Sequence, residues 1–265
     1  MKQSIYRMMI ELTNRPILSK WIESFARSKH SKFFIKSFAK TFSINIEEAE
    51  KTLSEYGSLH DFFTRKLKDG VRPIHVEDET VVSPVDGSIE EAGPINDDCI
   101  IHAKGKSYTV HEMLSENGVG MSEKEIARFQ GGYYMVIYLS PSNYHRIHSP
   151  VSGDITKQYH LGKMSYPVNK WGMKYGKDPL SKNFRVVTNI EVKSSNVALV
   201  KVGAMFVNTI EVTHIGSELV KGQDFAYFSF GSTVVLLFER DSFKSDLPNL
   251  PHSIRMGEVI GRFTK

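Results

Sequence analysis

The residues of this chain best suited to chemistry lie in three short stretches. Gly231-Ser232-Thr233 heads an apolar run, Val234 to Phe238, that reads as a fully buried strand. Asp86 occupies the turn of "SPVDGSI", and His145 and His148 lie in "NYHRIHSP". A serine hydroxyl is a weak nucleophile until a base takes its proton. An imidazole can be that base, and a carboxylate beside it fixes its tautomer and supports its charge. Asp86, His148 and Ser232 therefore read as an Asp-His-Ser set. No G-x-S-x-G elbow surrounds Ser232, so the set is poorly matched to a hydrolase of external substrates. It is better matched to attack by Ser232 on the adjoining carbonyl of Gly231, with glycine there because a side chain would obstruct the attack and the turn it needs. Each residue alone has a plainer explanation: Gly-Ser as a turn, Asp86 bonded to its own backbone, a histidine facing solvent. His145 and His148 with Asp86 also have the composition of a two-histidine, one-carboxylate metal site, which leaves the Gly-Ser pair unexplained.

These groups must be gathered from distant parts of the chain. From about Thr80 onward the segments are short, rich in Val, Ile and Tyr, and broken by Gly, Pro, Asn and Asp, which is an all-β pattern. "SPVDGSI" at Ser83 to Ile89 recurs as "SPVSGDI" at Ser149 to Ile155, with five of seven positions in common. Pro-Val-x-Gly suits a strand bent at a turn, and its repetition predicts two equivalent strand entrances with Asp86 and His148 at similar sheet edges. Hairpins of lipoyl- and biotinyl-bearing barrels look alike but need an exposed turn lysine, and neither copy has one. Upstream, Ser43 to Tyr56 reads as a short helix stopped by Gly57, and "SLHDFFTRKLKDGVRPI" as another that ends in a turn at Asp69-Gly70. The fold class is α+β: short N-terminal helices in residues 1–75, then a β-rich, sandwich- or barrel-like body in residues 76–265.

Charge divides the chain at a similar place. Residues 1–42 carry a net charge of +7 and the remainder −3. Leu18, Trp21, Ile22 and Phe25 follow helical spacing from Pro16, and Phe34, Ile35, Phe38 and Phe42 extend a second stripe. Such a segment reads either as a core-facing helix with a basic back or as a helix lying on an anionic membrane surface. A purely membrane-binding module with a structural β body is the non-enzymatic alternative. No nucleic-acid motif accompanies the charge. Apolar runs are too short to span a bilayer, no apolar signal-peptide core is present, and Cys99 is the sole cysteine. These features indicate a soluble or peripheral protein of a reducing compartment.

"SPVDG", "YHRIHSP" and "KGQDFAYFSFGSTV", with "FFTRKLKDGVRPI", "GKSYTVHEML" and "VGAMFVNTIE", occur in an order that resembles the phosphatidylserine decarboxylase proenzyme family, bacterial type. The resemblance implies a chain that cuts itself between Gly231 and Ser232 into a β chain, 1–231, and an α chain, 232–265. Ser232 would become a pyruvoyl group, the covalent cofactor, with neither pyridoxal phosphate nor metal. That group would form a Schiff base with phosphatidylserine and yield phosphatidylethanolamine. Asp86, His148 and Ser232 would be the self-cleavage set, and His145 the proton donor after CO2 departs. A homodimer, peripheral on the cytoplasmic face of the cell membrane and without nucleic-acid partners, is also implied. Phe230 stands where many bacterial members have Leu, and Phe184 where related sequences often have an acid, so Asn183 and Arg185 receive no role.

Overall fold

Every side chain from Ser232 to Phe238 is buried, which requires a strand covered on both faces. The computed structural model describes residues 16–103, 105–168, 170–193, 195–204, 210–229 and 231–264. Phe230, with the basic residues Lys2, Arg7 and Arg15, lies outside them. The strands are β1 Thr80–Val82, β2 Gly87–Pro94, β3 Ile100–Ala103, β4 Lys106–Thr109, β5 Ser115–Glu116, β6 Val119–Gly120, β7 Tyr133–Leu139, β8 Arg146–His148 and β9 Gly153–Leu161. They continue as β10 Arg185–Val192, β11 Ser195–Gly203, β12 Ile210–Val212, β13 Glu218–Leu219, β14 Asp224–Phe228, β15 Ser232–Phe238, β16 Phe243–Ser245, β17 His252–Ile254 and β18 Val259–Phe263.

Eight strands form an open sheet in the order β13-β9-β10-β11-β15-β7-β2-β17, so the body does not close into a barrel. Two three-stranded sheets, β1-β18-β16 and β12-β14-β8, cover one face. Val81, Ile147, Phe225, Phe228 and Ile260 from these small sheets share a core with Ile137, Leu199, Val234 and Leu236. On the other face Val235, Leu237, Val200 and Ala198 meet Tyr108, Met113, Phe129 and Leu180 from the connecting segments.

The architecture is a duplication. β1, β2, β7, β15, β16, β17 and β18 correspond in order to β8, β9, β10, β11, β12, β13 and β14, and the eight-stranded order reads the same from either end under this exchange. The seven-residue sequence echo marks equivalent corners. Ser83 Oγ donates to the Val85 carbonyl and Ser149 Oγ to that of Val151, at 2.7 and 2.6 Å. The copies also pair reciprocally, Val82 N–H to Pro150 O and His148 N–H to Pro84 O. Gly222 and Gly257 occupy matching turns at φ of 79° and 90°. A Cβ at either would strike Ile74, which is wedged between the two halves. The second unit is inserted within the first, between β7 and β15. Leu139 opposite Ser232 therefore corresponds to Val192 opposite Ser195, where the second unit has a simple hairpin.

Helices α1 Pro16–Arg27, α2 Ile35–Thr41 and α3 Leu59–Phe63 precede the body. Ile35, Ala39, Ile44, Tyr56 and Phe62 form a small separate core. Residues 43–56 are turns and not the helix their sequence suggests. Ser43 has φ of 53°, Asn45 Oδ1 accepts from Glu47 N–H, and the backbone of Glu48 and Glu50 pairs with Lys68 and Lys66. Side-chain and cross-chain bonds have taken the groups a helix would use.

Lys201, opposite Val234, is fully buried. Its Nζ donates to Thr188 Oγ1 at 2.5 Å and lies 5.0 Å from the centre of the Phe225 ring. Burial pushes its pKa down to about 7. Between that value and the ordinary lysine value the unfolded chain holds a proton that the folded chain lacks. Stability of the wild type should therefore rise from pH 7 toward 10.5, by up to about 1.4 kcal/mol per unit. Lys201→Met should be more stable at pH 7, and its advantage should shrink over that window in denaturant titrations. Parallel pH curves would show that Lys201 titrates normally.

Candidate active site

Two of the candidate residues, His145 and Ser232, lie where the chain crosses between the two units. The inbound crossing, residues 140–145, leaves β7 at Leu139, and the outbound crossing re-enters the first unit at Ser232. The two run side by side, tied by Phe228 N–H donating to the His145 carbonyl at 2.9 Å. Ser232 begins β15 between Leu139 and Gly203 and is fully buried, with no partner for its Oγ among the described residues. Among the described residues other than its chain neighbours, no atom lies within 4 Å of where a Cβ of Gly231 would stand.

His148 ends β8. Its Nδ1 lies 2.7 Å from the Gly222 carbonyl, so Nδ1 carries the proton. Nε2 is left with its lone pair, which accepts from the Tyr144 hydroxyl at 3.0 Å. Burial lowers the His148 pKa, against smaller upward pulls that include Asp224 and Asp86. Burial also raises the Tyr144 pKa, which keeps the phenol a neutral donor. The protein thus holds a neutral imidazole with its basic nitrogen capped by a hydroxyl.

Asp86 is placed otherwise than its sequence context suggests. Its carboxylate bonds Arg72, with Nε to Oδ1 at 2.9 Å and Nη2 to Oδ2 at 2.5 Å, and Oδ1 also accepts from Met256 N–H at 2.9 Å. Arg72 further bridges to Glu48 at 2.8 Å. The partner that fixes the His148 tautomer is the Gly222 carbonyl, and Asp86 acts on His148 only through space. In the second unit Ser152 stands at the position of Asp86, its Oγ accepting from Lys221 N–H at 2.9 Å, the counterpart of Asp86 with Met256.

His145 is fully buried and lies against Phe63, ring centroids 4.1 Å apart. Its Nδ1 is 2.9 Å from the Asn143 carbonyl, and Nε2 has no partner among the described residues. Burial first, and the positive charge of Arg65 second, lower its pKa to about 3. In the uncut chain Nε2 is consequently an acceptor, and it must take up a proton before it can donate one. Among the described residues no three His, Cys, Asp or Glu side chains converge as ligands, so the structure does not gather Asp86, His145 and His148 into a metal-binding group.

Sequence reasoning assigned no role to Phe63, Arg65, Arg72 or Tyr144. The first three lie in "FFTRKLKDGVRPI", a stretch that reads locally as helix and turn. Only the folded chain brings it against residues 86 and 142–145. Asn183 and Arg185 prove architectural. Asn183 Nδ2 donates to the carbonyls of Tyr166 and Gly203, and Arg185 binds the carbonyls of Met113 and Glu112 at the end of helix Val110–Leu114.

Residues 59–262 match the family described as phosphatidylserine decarboxylase. The phosphatidylserine decarboxylase proenzyme of Geobacillus kaustophilus (strain HTA426) is 50% identical over 263 residues, 98% of this chain and 97% of the relative. That of Bacillus mycoides (strain KBAB4) is 51% identical over 262 residues, with the same shares covered. That of Bacillus anthracis is 50% identical over 262 residues, again with those shares. These matches run through both crossings and through the segment that supplies Phe63, Arg65 and Arg72: the chain belongs to the phosphatidylserine decarboxylase family.

Proposed function

We propose that this protein is a self-cleaving proenzyme that decarboxylates phosphatidylserine to phosphatidylethanolamine. The observation that carries the proposal is the juncture of Gly231 and Ser232, a buried, unpartnered hydroxyl at the head of a fixed strand beside the residue whose carbonyl it would attack. His148 Nε2 takes the Ser232 Oγ proton, displacing or passing through the Tyr144 hydroxyl. The alkoxide adds to the Gly231 carbonyl, the C–N bond breaks, and the amide becomes an ester. Loss of the Ser232 α-proton expels the Gly231 carboxylate and leaves a dehydroalanine. Water then releases ammonia and leaves a ketone at residue 232.

That pyruvoyl ketone, once formed, supplies an electron sink for loss of CO2 from an amino acid. The surroundings suit it, because a buried site disfavours the substrate carboxylate over neutral CO2. The ammonium of the incoming serine headgroup must lose a proton to become a nucleophile. His145 Nε2, an acceptor, takes that proton, aided by the charge of the arriving carboxylate. It returns the proton to the α-carbon after CO2 has left. Asp86 holds Arg72 and the Met256 backbone, so that the corner carrying His148 keeps its shape.

The surface of the N-terminal helices supports membrane association. Trp21 is 73% exposed and Phe33 84%, with Phe25, Phe34 and Phe42 also exposed among Lys29, Lys32, Lys36 and Lys40. Ala26, Ile35 and Ala39 are buried, and Phe38 packs against the small core. Among the described residues no helix is long and apolar enough to cross a membrane. Within the N-terminal region 1–75 we assign the basic, aromatic segment up to Phe42 to binding an anionic surface, with the enzyme peripheral on the cytoplasmic face. The family resemblance extends the proposal to a homodimer, which sedimentation of mature protein would test.

Fresh wild-type protein should show two fragments by denaturing electrophoresis, the smaller comprising residues 232–265 with a blocked amino terminus. Ser232→Ala should stay whole, and an uncut, folded wild type would defeat the maturation scheme. His148→Ala should accumulate uncut chain, whereas His145→Ala should cleave yet fail to release CO2. Maturation should persist below pH 6.5, because the lowered pKa keeps His148 neutral there, and should fall off only at more acid pH.

Asp86→Ala and Arg72→Ala should both slow cleavage. Normal cleavage in Arg72→Ala alone would mean that Asp86 acts directly on His148.

Trp21→Ala with Phe25→Ala should mature normally, bind anionic vesicles more weakly, and act well only on soluble short-chain substrate. Each basic residue near such a surface contributes on the order of 1 kcal/mol, so added salt should weaken wild-type binding too. Undiminished vesicle binding by the double variant would remove the aromatic stripe from the membrane contact.

A further inference from the structure

Arg65 is a buried cation that has no carboxylate partner among the described residues. It follows Thr64, the C-cap of α3, and is 4% exposed. Its Nη2 donates to the carbonyls of Ser142 and Asn143, both at 3.3 Å, and the guanidinium lies 5.4 Å from the centre of the Phe62 ring. Nε and Nη1 are buried with no acceptor among the described residues. Among the described residues no Asp or Glu oxygen lies within 4.0 Å of it, whereas Arg72 holds Glu48 and Asp86, and Arg146 holds Asp224. A guanidinium stays charged in proteins, and a buried charge with orphaned donors is costly unless an anion meets it.

Its position says which anion. The Asn143 carbonyl accepts from Arg65 Nη2 and also lies 2.9 Å from His145 Nδ1, so a single carbonyl separates Arg65 from the imidazole assigned to proton transfer. Arg65 also lines a cavity of about 400 Å³ together with Asn143, Tyr144, Arg72 and Asp86. Arg72 is neutralised there by its carboxylates, which leaves Arg65 as the buried donor that can still accept an anionic partner.

We propose that Arg65 binds the phosphodiester of the substrate headgroup. This rests on the decarboxylase reading above. The serine headgroup offers two anions, and chemistry separates them. An arginine on the carboxylate would stabilise the charge that must be lost as CO2 and so oppose the reaction. On the phosphodiester it binds ground state and transition state alike. It also fixes the amine and carboxylate beside it, on the side of His145.

The test uses mature protein. Arg65→Met and Arg65→Lys are first checked for cleavage by intact mass, then assayed with dihexanoylphosphatidylserine. Binding of glycerophosphoethanolamine and of phosphate-free ethanolamine is measured by calorimetry. In Arg65→Met, KM should rise about ten-fold or more while kcat stays within about three-fold, the pattern of lost uniform binding through a charged hydrogen bond. Affinity for glycerophosphoethanolamine should fall by a similar factor with that for ethanolamine unchanged, and Arg65→Lys should recover part of the loss. If Arg65→Met remains uncut, the same comparison in Arg65→Lys decides. An unchanged KM, a loss confined to kcat, or equal loss for both ligands would overturn the assignment. A wild type that neither cleaves nor releases CO2 would instead overturn the decarboxylase reading itself, before any Arg65 variant is compared.

Discussion

The pairing of Ser232 with Leu139 is the constraint on which the rest of the structure turns. It closes the first unit around an inserted second one, so the chain must leave and return at a single point on the sheet. Two irregular crossings are thereby forced side by side, with Tyr144 and His145 on one and Gly231 on the other. A hairpin at that point, such as Val192 to Ser195 in the second unit, would leave no room for a site. The same pairing explains how a chain cut before Ser232 could hold together. Residues 232–265 contribute β15 to the middle of the eight-stranded sheet, β17 to its edge and β18 to the small sheet with β1. Burial of Val234 to Phe238 alone removes five large apolar side chains from water, each worth about 1.5–3 kcal/mol, which a single broken peptide bond does not undo.

Burial then distributes the protonation states. Both histidines are pushed toward neutrality, which makes each an acceptor at Nε2. What distinguishes them is the company of that nitrogen. The Tyr144 hydroxyl caps it on His148, while on His145 it has no partner. Asp86 is spent on Arg72 and the Met256 backbone, so the carboxylate does not also orient an imidazole. That task falls to a glycine carbonyl, which a turn at positive φ aims at Nδ1.

Much of this was legible in the sequence. The period-two segments and turn residues gave the β body, and buried alternation outweighed the uneven lengths of the strands. The seven-residue echo disclosed the duplication but not its extent, because the equivalence of β15 with β11 lies in ladder register and hardly in residue identity. The region 43–56 was misread because its apolar spacing passes for helical. Nothing local reveals that the backbone of Glu48 and Glu50 pairs with residues 66–68. His145, His148, Asp86 and Ser232 were identifiable by type. The bond from Asp86 to Arg72 was not, since it joins a turn to a segment that reads only as helix end and loop.

The duplication also shows why chemistry settled on one side. The position of Ser232 is held in the other unit by Ser195, that of Asp86 by Ser152 and that of His148 by Val82. Ser195 is thus a serine at the head of an equivalent strand, but it lies in a hairpin, and the counterpart of the basic imidazole is an aliphatic side chain buried in the core. Equivalent backbone is not enough. Under the proposed scheme a serine becomes a reactant only where the chain crosses between units, where a neutral imidazole is held by a carbonyl behind it, and where Ile74 and Arg72 from the preceding segment pack against the corner. Three of those conditions depend on residues far apart in sequence, which is why the insertion of one unit into the other, rather than the serine itself, defines the site.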